Sequence, residues 1–580
     1  MDYRRLYDIL PYQQDQYPSR TALNVRDALK WKSFSTETCQ REVDKVSAAL
    51  LNMGVQRSDR VGIIASGGSA YWIFIDLGIQ QLGAVTVPLH GTQSTSALLH
   101  ILKESGTSYV FAADRELYER VLSIEDNLVE LKRIFTFHQL PDLPSLQALL
   151  VEPLPEQMET IQANRAAVHE DDLATLVYTS GATGEPKGVM LSHKNLISNI
   201  QAALAVMPIN CDKRVLSFLP LSHIMERMVV YAYLAAGASV YFGESQERLL
   251  PNLREIKPHY FTAVPLVLEE LYAGIQRRAQ RGSAWKRGLL RWAIRLGKRF
   301  EGRQRIGIWY WLRLTLADLL VYRNWRRKLG GKIEGIIVGA AALRAELGRL
   351  FSAAGIEVRE GYGLTETSPV VAINRFESRG VRFGTVGQPL PGVRVKISSE
   401  GEVLVRGPNV MQGYYRNEAA TRAAIDKDGW LHTGDLGRLE AGQFLRITGR
   451  QNALFKMANG RFVSPEQVEQ HLLASSYIAQ CMVLGANQTE LGALLVPDFD
   501  ALRRWCAEQQ IAWTGAQFMV LNHKVIRLYQ QEMQRVNAQL PDYLRVERQR
   551  LLHQPWTQAS GLLTATLKPR RSAILDHYQY

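Results

Sequence analysis

From about residue 20 to residue 240 the chain alternates short β-branched or apolar runs with stretches in which apolar residues return every three or four positions. The runs are ALNV, RVGIIAS, AVTVPL and YVFAA, and helical spacing covers Cys39 to Met53, Tyr71 to Leu82 and Leu98 to Ser105. Strands separated by helices pair in parallel, because a parallel connection needs a crossover, so this rhythm predicts βαβ units and a parallel-rich sheet. It returns in ASVYF, HYFTAV and GIIVGAA. From Gly384 to 449 short strands (RVKIS, EVLVRG, FLRITG) follow one another between glycines and prolines, the texture of a small β-rich subdomain. Beyond it PEQVEQHLLAS reads as helix, IAQCMVLG and GALLVP as strands, and helical patterns run to about Arg550. The expected fold class is α/β: a large N-terminal domain (1–449) of parallel-rich sheets with helices plus the β-rich subdomain, then a small α+β domain (450–580), joined at Arg450 to Ala453.

Length supports this division, since 580 residues exceed what a single core holds. Cys39, Cys211, Cys481 and Cys506 lie far apart with no CxxC pair, which is neither a disulfide framework nor a zinc site and fits a reducing compartment. The N-terminal MDYRRLYDILPYQQDQ lacks the apolar core of a secretory signal, and no uncharged apolar run reaches about 18 residues. The expected location is cytoplasmic, with any membrane contact peripheral on the inner face.

Charge changes the picture in one place. Arg277 to Lys332 holds 17 lysines and arginines against two acids, Glu301 and Asp318, and so more than accounts for the chain's net +13. Five of the eleven tryptophans lie there too. On a helix, Trp285, Leu289, Trp292, Ala293, Leu296 and Phe300 share one face, and Arg287, Arg291, Arg295 and Lys298 another. That pattern predicts an in-plane helix on an anionic membrane surface; a helix packed on the protein body has the same signature. Nucleic acid is not expected as a partner, because no recognised binding module accompanies the charge.

The most informative stretch is YTSGATGEPKG, Tyr178 to Gly188, which follows the apolar run LATLV and precedes a helical pattern from Ser192. It combines Gly181, Gly184 and Gly188 with the hydroxyls of Thr179, Ser180 and Thr183 and the ammonium of Lys187. Glycines let backbone N–H groups approach a ligand, hydroxyls donate to phosphate oxygens and lysine neutralises charge, so the loop suits a polyphosphate. It is not a Walker A loop, because proline precedes its lysine and no Gly-Lys-Ser/Thr ending follows.

YTSGATGEPKGVMLSH resembles the signature loop of the adenylate-forming superfamily, and further blocks follow in that family's order: LPLSHIMER, GYGLTETSP, GEVLVRGPNVMQGYY, WLHTGDLG, ITGR and LLTATLKPRR. The long-chain fatty acyl-CoA synthetase branch is the most similar, because a basic insertion precedes a VGAAAL-type block. The resemblance implies ATP, Mg2+ and coenzyme A as reactants and cofactor, and a long-chain fatty acid as substrate. It further implies that Glu366 and Thr183 hold magnesium, Thr365 meets the α-phosphate, and Tyr362 lies against adenine beside Gly363. Gly339 and Ala340, in Val338 to Leu343, resemble the wall between adenine and acyl pockets. His223 resembles the histidine at the mouth of the acyl site, Asp435 and Arg450 the two ribose contacts, and Lys568 the lysine that balances carboxylate and α-phosphate from a mobile C-terminal domain. The sequence departs from the pattern at Asn452 and Ala453, where relatives commonly carry Lys and Asp. Two alternatives stay open: transfer to acyl carrier protein instead of coenzyme A, and a non-catalytic lipid-binding or membrane scaffold protein.

Overall fold

In the computed structural model, which describes residues 3–27, 30–179, 186–245, 248–280, 283–302, 307–377, 379–451, 455–458, 461–557, 560–563 and 569–579, the βα alternation builds two large sheets. The first has seven strands in the order Gly413–Tyr414, Lys187–Ser192, Leu173–Thr179, Val85–His90, Arg60–Ala65, Thr107–Ala112 and Arg133–Thr136. Its last five are parallel, and the two at the other edge are antiparallel. The second has nine strands. Its parallel centre runs Glu357–Gly363, Gly335–Val338, Tyr260–Ala263, Arg214–Ser217, Ser239–Phe242 and Leu23–Asp27, with antiparallel strands at both edges.

Strands Arg60–Ala65, Val85–His90, Thr107–Ala112 and Gly335–Val338 are buried almost throughout, as in a sheet covered on both faces. Helix Ala70–Gln81 is capped by the Ser69 hydroxyl, which accepts from the Tyr71 N–H, and it is apolar nearly all round, with Trp72, Ile73, Phe74, Leu77 and Ile79 buried. A helix of that composition belongs between layers. Its one charge, Asp76, is fully buried and satisfied from four directions. Arg227 donates through Nη2 (2.7 Å) and Nε (3.0 Å), Thr86 Oγ1 and Gln80 Nε2 each donate at 2.7 Å, and the Tyr231 hydroxyl also donates. Arg227 further donates to Thr175 Oγ1 at 2.9 Å, so one carboxylate ties two helices to two neighbouring strands.

The helical pattern read from Ser192 is helix His193–Leu204, and before it strand Lys187–Ser192 runs antiparallel to Leu173–Thr179. The strand follows from the alternation in KGVMLS, which buries Val189 and Leu191 in the core and leaves Ser192 to cap the helix through the Asn195 N–H.

A four-stranded sheet follows, in the order Arg394–Ile397, Glu402–Arg406, Leu431–Glu440 and Phe444–Arg450. Two compact units result: Met1–Lys396 with Leu404–Thr433 and Leu439–Arg446, and Ile397–Val403 with Gly434–Arg438 and Ile447–Tyr580. The second contains a three-stranded sheet, Ile478–Leu484, Leu491–Pro497 and Val546–Leu551, against which helices Pro465–Leu472, Phe499–Glu508 and His523–Asn537 bury Val468, Leu502, Val525 and Tyr529.

In the basic segment the second of the two readings holds for the first helix. Helix Ala284–Gly297 does form, but its apolar face is not free to meet a membrane. Ala293, Ile294 and Leu296 are buried with Val321, Tyr322, Trp325, Leu350 and Ala354, and Phe300 is buried too. Amphipathic spacing specifies that a face is covered, not by what, and here the protein body covers it.

Candidate active site

In the first unit the site is assembled where strand Glu357–Gly363 turns into its antiparallel neighbour Val370–Ile373. The turn Thr365–Thr367 is pinned by its own threonine: the Leu364 N–H donates to Thr367 Oγ1 at 2.9 Å, and that hydroxyl lies within hydrogen-bond distance of the Pro369 carbonyl at 2.5 Å. Only glycine fits at 363, since a Cβ there would stand 1.8 Å from the Pro369 oxygen. Two buried asparagines brace the turn from outside. Asn409 Nδ2 donates to the Thr367 carbonyl at 2.8 Å, while Asn199 donates to the Val370 carbonyl (2.7 Å) and accepts from its N–H (3.1 Å).

This bracing fixes Glu366, whose Oε1 accepts from the Tyr414 hydroxyl at 3.0 Å. Burial, reinforced by the Glu366 carboxylate, raises the Tyr414 phenol far above its ordinary range, so it remains a donor at any working pH. Lys187 Nζ lies 5.2 Å from the centroid of the same Tyr414 ring. The ammonium that closes the glycine-rich loop and the carboxylate of the TET turn thus converge on one tyrosine. Thr179 pairs with Lys187 across the hairpin. Ser180, Gly181, Thr183 and Gly184 lie outside the described residues, as does Lys568.

Tyr362 is half-buried and pairs with Ala372 beside the bulge at Gly363. Gly339 and Ala340 leave the end of strand Gly335–Val338. A Cβ at Gly339 would meet Met225 Sδ at 2.8 Å, and Ala340 holds a left-handed backbone (φ +69°), a strained conformation that clusters at functional sites. Glu360 anchors this loop by accepting from the Leu343 N–H at 3.0 Å, and burial pushes its carboxyl up to about 7.

His223 stands at the N-terminus of helix Ile224–Ala235, with its ring 4.9 Å from that of His90. His90 Nδ1 accepts from the Thr92 N–H at 3.1 Å, which leaves the neutral ring's proton on Nε2, buried and without a hydrogen-bond partner among the described residues. Burial, and to a lesser degree His223, lowers His90 to about 3, so it stays uncharged. One turn into the helix, burial raises Glu226 to about 8 although Ser217 Oγ donates to it at 2.5 Å.

In the second unit the two residues assigned to ribose meet directly: Arg450 Nε lies 2.9 Å from Oδ1 of the buried Asp435. Glu402 supports this segment by accepting from the Gly434 N–H at 2.9 Å. The sequence reading did not single out Asn199, Asn409, Tyr414, Glu360 or His90. For Tyr414 and Asn409 a signal existed, because both lie in the GEVLVRGPNVMQGYY block; Asn199 stands alone and carries none.

Residues 10–415 match the AMP-binding enzyme family, and residues 453–580 match the AMP-binding enzyme C-terminal domain. The chain belongs to the AMP-binding enzyme family. This AMP-binding enzyme is 33% identical over 552 residues to the long-chain-fatty-acid–CoA ligase FadD15 of Mycobacterium bovis, a match that covers 93% of the chain and 90% of the relative. It is 31% identical over 568 residues to human long-chain-fatty-acid–CoA ligase 1, covering 92% and 79%. Among solved structures, the O-succinylbenzoate coenzyme A synthetase of Bacillus subtilis, in complex with ATP and magnesium, superposes with a TM-score of 0.69 at 20% identity, covering 97% and 98%. At that identity the likeness shows the fold.

Proposed function

We propose that this AMP-binding enzyme is a long-chain fatty acid:CoA ligase that makes acyl-AMP and pyrophosphate from fatty acid and ATP, then acyl-CoA and AMP. In the first step a carboxylate oxygen bonds to the α-phosphorus as the bond to the β-phosphate breaks. Two anions meet there, so the step needs cations and oriented donors in place beforehand. The convergence of Lys187 and Glu366 on Tyr414 carries this reading. Lys187 offers a positive charge to the polyphosphate, with Thr179, Ser180, Gly181, Thr183 and Gly184 as the rest of its cradle. Thr365 donates to the α-phosphate.

The single carboxylate of Glu366, held by the Tyr414 hydroxyl, fits magnesium, a hard cation that commonly takes one or two carboxylates and completes its shell with phosphate oxygens and water. Glu366, with Thr183, would hold it, and when bound it draws charge from the phosphate oxygens. Asp435 accepts from the ribose hydroxyls while Arg450 fixes its carboxylate plane, and Tyr362 with Gly363 borders the adenine. Gly339, Ala340 and His223 shape and position the acyl end, and Lys568 balances the charge of carboxylate and α-phosphate. The thiol sulfur then bonds to the acyl carbon as the bond from that carbon to the AMP oxygen breaks, giving the thioester and free AMP. Substrate class follows the names of the relatives at 31–33% identity, and we place the enzyme in the cytoplasm and peripherally on the inner face of the membrane.

ATP–pyrophosphate exchange over acids of graded chain length, with thioester measured for coenzyme A and for acyl carrier protein, tests the reading. Exchange that rises with chain length and thioester on coenzyme A support it. Thioester on the carrier alone assigns the acceptor to acyl carrier protein, which the basic surface also suits. Silence with every acid leaves a lipid-binding or scaffold protein.

A further inference from the structure

Immediately after the helix whose apolar face the body covers, a second helical run has apolar residues on both sides. It comprises Ile308–Ala317, a π-helical turn Asp318–Tyr322 and Arg323–Lys328. One side, with Ala317, Val321, Tyr322 and Trp325, packs into the body. The opposite side exposes Ile308, Trp309, Leu312, Leu316, Leu319 and Leu320, at the i, i+4 spacing of one helical face. Trp309 is 77% exposed, Ile308 71% and Leu319 63%. Scattered exposed leucines are ordinary, but a continuous strip of this size marks an interaction surface.

The surrounding charge selects the occupant. Arg313 interrupts the strip and Arg323 follows it by one turn, both exposed. The neighbouring helix adds exposed Lys286, Arg287, Arg291 and Arg295. The segment's two acids are already engaged, Asp318 by Arg326 at 2.5 Å and Glu301 by Arg349 at 2.8 Å. Trp311 and Trp285 are also exposed, and tryptophan favours the headgroup level of a bilayer. An apolar ridge rimmed by exposed cations and tryptophans matches an anionic lipid surface, where the ridge enters the acyl region and the cations meet headgroups.

We propose that helix 308–328, and not helix 284–297, is the element that inserts into an anionic leaflet. This deepens the peripheral placement proposed above, but the surface stands on its own geometry. Only its benefit, supply of a bilayer-resident acyl substrate, rests on the ligase reading. The run leads into strand Gly335–Val338 and so to Gly339 and Ala340, which places the inserted element next in sequence to the proposed acyl pocket.

The test uses the full chain in flotation with vesicles of phosphatidylcholine alone or mixed with phosphatidylglycerol. Wild type is expected to float with the anionic vesicles and to be released by high salt. The variant W309S/L312S/L316S removes only exposed groups and should bind about 100-fold more weakly or worse, since each buried apolar side chain is worth roughly tenfold. The variant R313E/R323E should lose its preference for the anionic vesicles. Exchange with a soluble medium-chain acid stays at the wild-type level in both variants. Undiminished flotation of the triple variant overturns the proposal. So does a wild type that ignores vesicles but dimerises through the strip, with the triple variant monomeric. Absent exchange in every protein sinks the ligase reading and leaves the vesicle result to decide this one.

Discussion

Tyr414→Phe isolates the contact on which the catalytic reading turns. It removes one hydroxyl and keeps the ring, so Lys187 retains the aromatic face that it lies over at 5.2 Å. What is lost is the 3.0 Å bond to the Glu366 carboxylate. Hydrogen bonds to charged groups contribute about 1.5–3 kcal/mol, or roughly 10- to 150-fold in rate if the bond serves the transition state. We expect kcat/KM for ATP–pyrophosphate exchange to fall within that range, with thermal stability changed by about 1 kcal/mol or less. The decisive measurement is a double-mutant cycle with Glu366→Gln. If Tyr414 acts by orienting Glu366, the second substitution costs far less in the variant background than in wild type, with a coupling of about 1 kcal/mol or more. Fully multiplicative losses, or an unimpaired Tyr414→Phe enzyme, would refute the reasoning.

Three further outcomes are expected. Asp76→Ala leaves the Arg227 guanidinium buried without its carboxylate and should destabilise by about 3–5 kcal/mol, seen as a lower thermal midpoint; an unchanged midpoint would contradict the network described above. Because burial raises Glu226 to about 8, well above its ordinary 4.5, its contribution to stability is fully present below pH 4.5 and is lost as pH rises through 8. Glu226→Gln should therefore flatten the decline in thermal midpoint between pH 6 and pH 9, and a steeper decline would reverse the assignment. Asp435→Ala should raise KM for ATP by about tenfold or more and change KM for the fatty acid little, through loss of hydrogen bonds to the sugar; the opposite pattern would remove Asp435 from the ribose site.

Much of this was legible in the residues. Runs such as RVGIIAS and GIIVGAA became the parallel strands Arg60–Ala65 and Gly335–Val338, because a strand buried on both faces leaves an unbroken apolar signature. The GYGLTETSP block was legible by resemblance, but the turn it makes and the bracing of that turn were not, since Asn199 and Asn409 reach it from distant stretches of chain. The helix start at Ser192 was legible, but the strand Lys187–Ser192 before it was not, because six residues are too few for periodicity to mark a strand. In the basic segment the alternative of a helix packed on the body held for 284–297. Spacing identified the amphipathic helix 284–297, yet its apolar face was absorbed by Leu350, Ala354 and Tyr322, while the exposed ridge arose from the helix that is apolar on two sides.

Strands Tyr260–Ala263 and Gly335–Val338 lie side by side, with Tyr260 opposite Gly335, although residues 264–334 separate them in the chain. A parallel crossover needs only a dozen or so residues, so most of this excursion behaves as a cassette spliced into an otherwise ordinary connection. A domesticated version of the enzyme for homogeneous solution would replace the outward helix with a polar one and keep the inward residues that roof Leu350 and Ala354. Conversely, if the outward strip meets lipid as proposed, transplanting the cassette onto a water-loving relative would change that relative's address while leaving its chemistry in place.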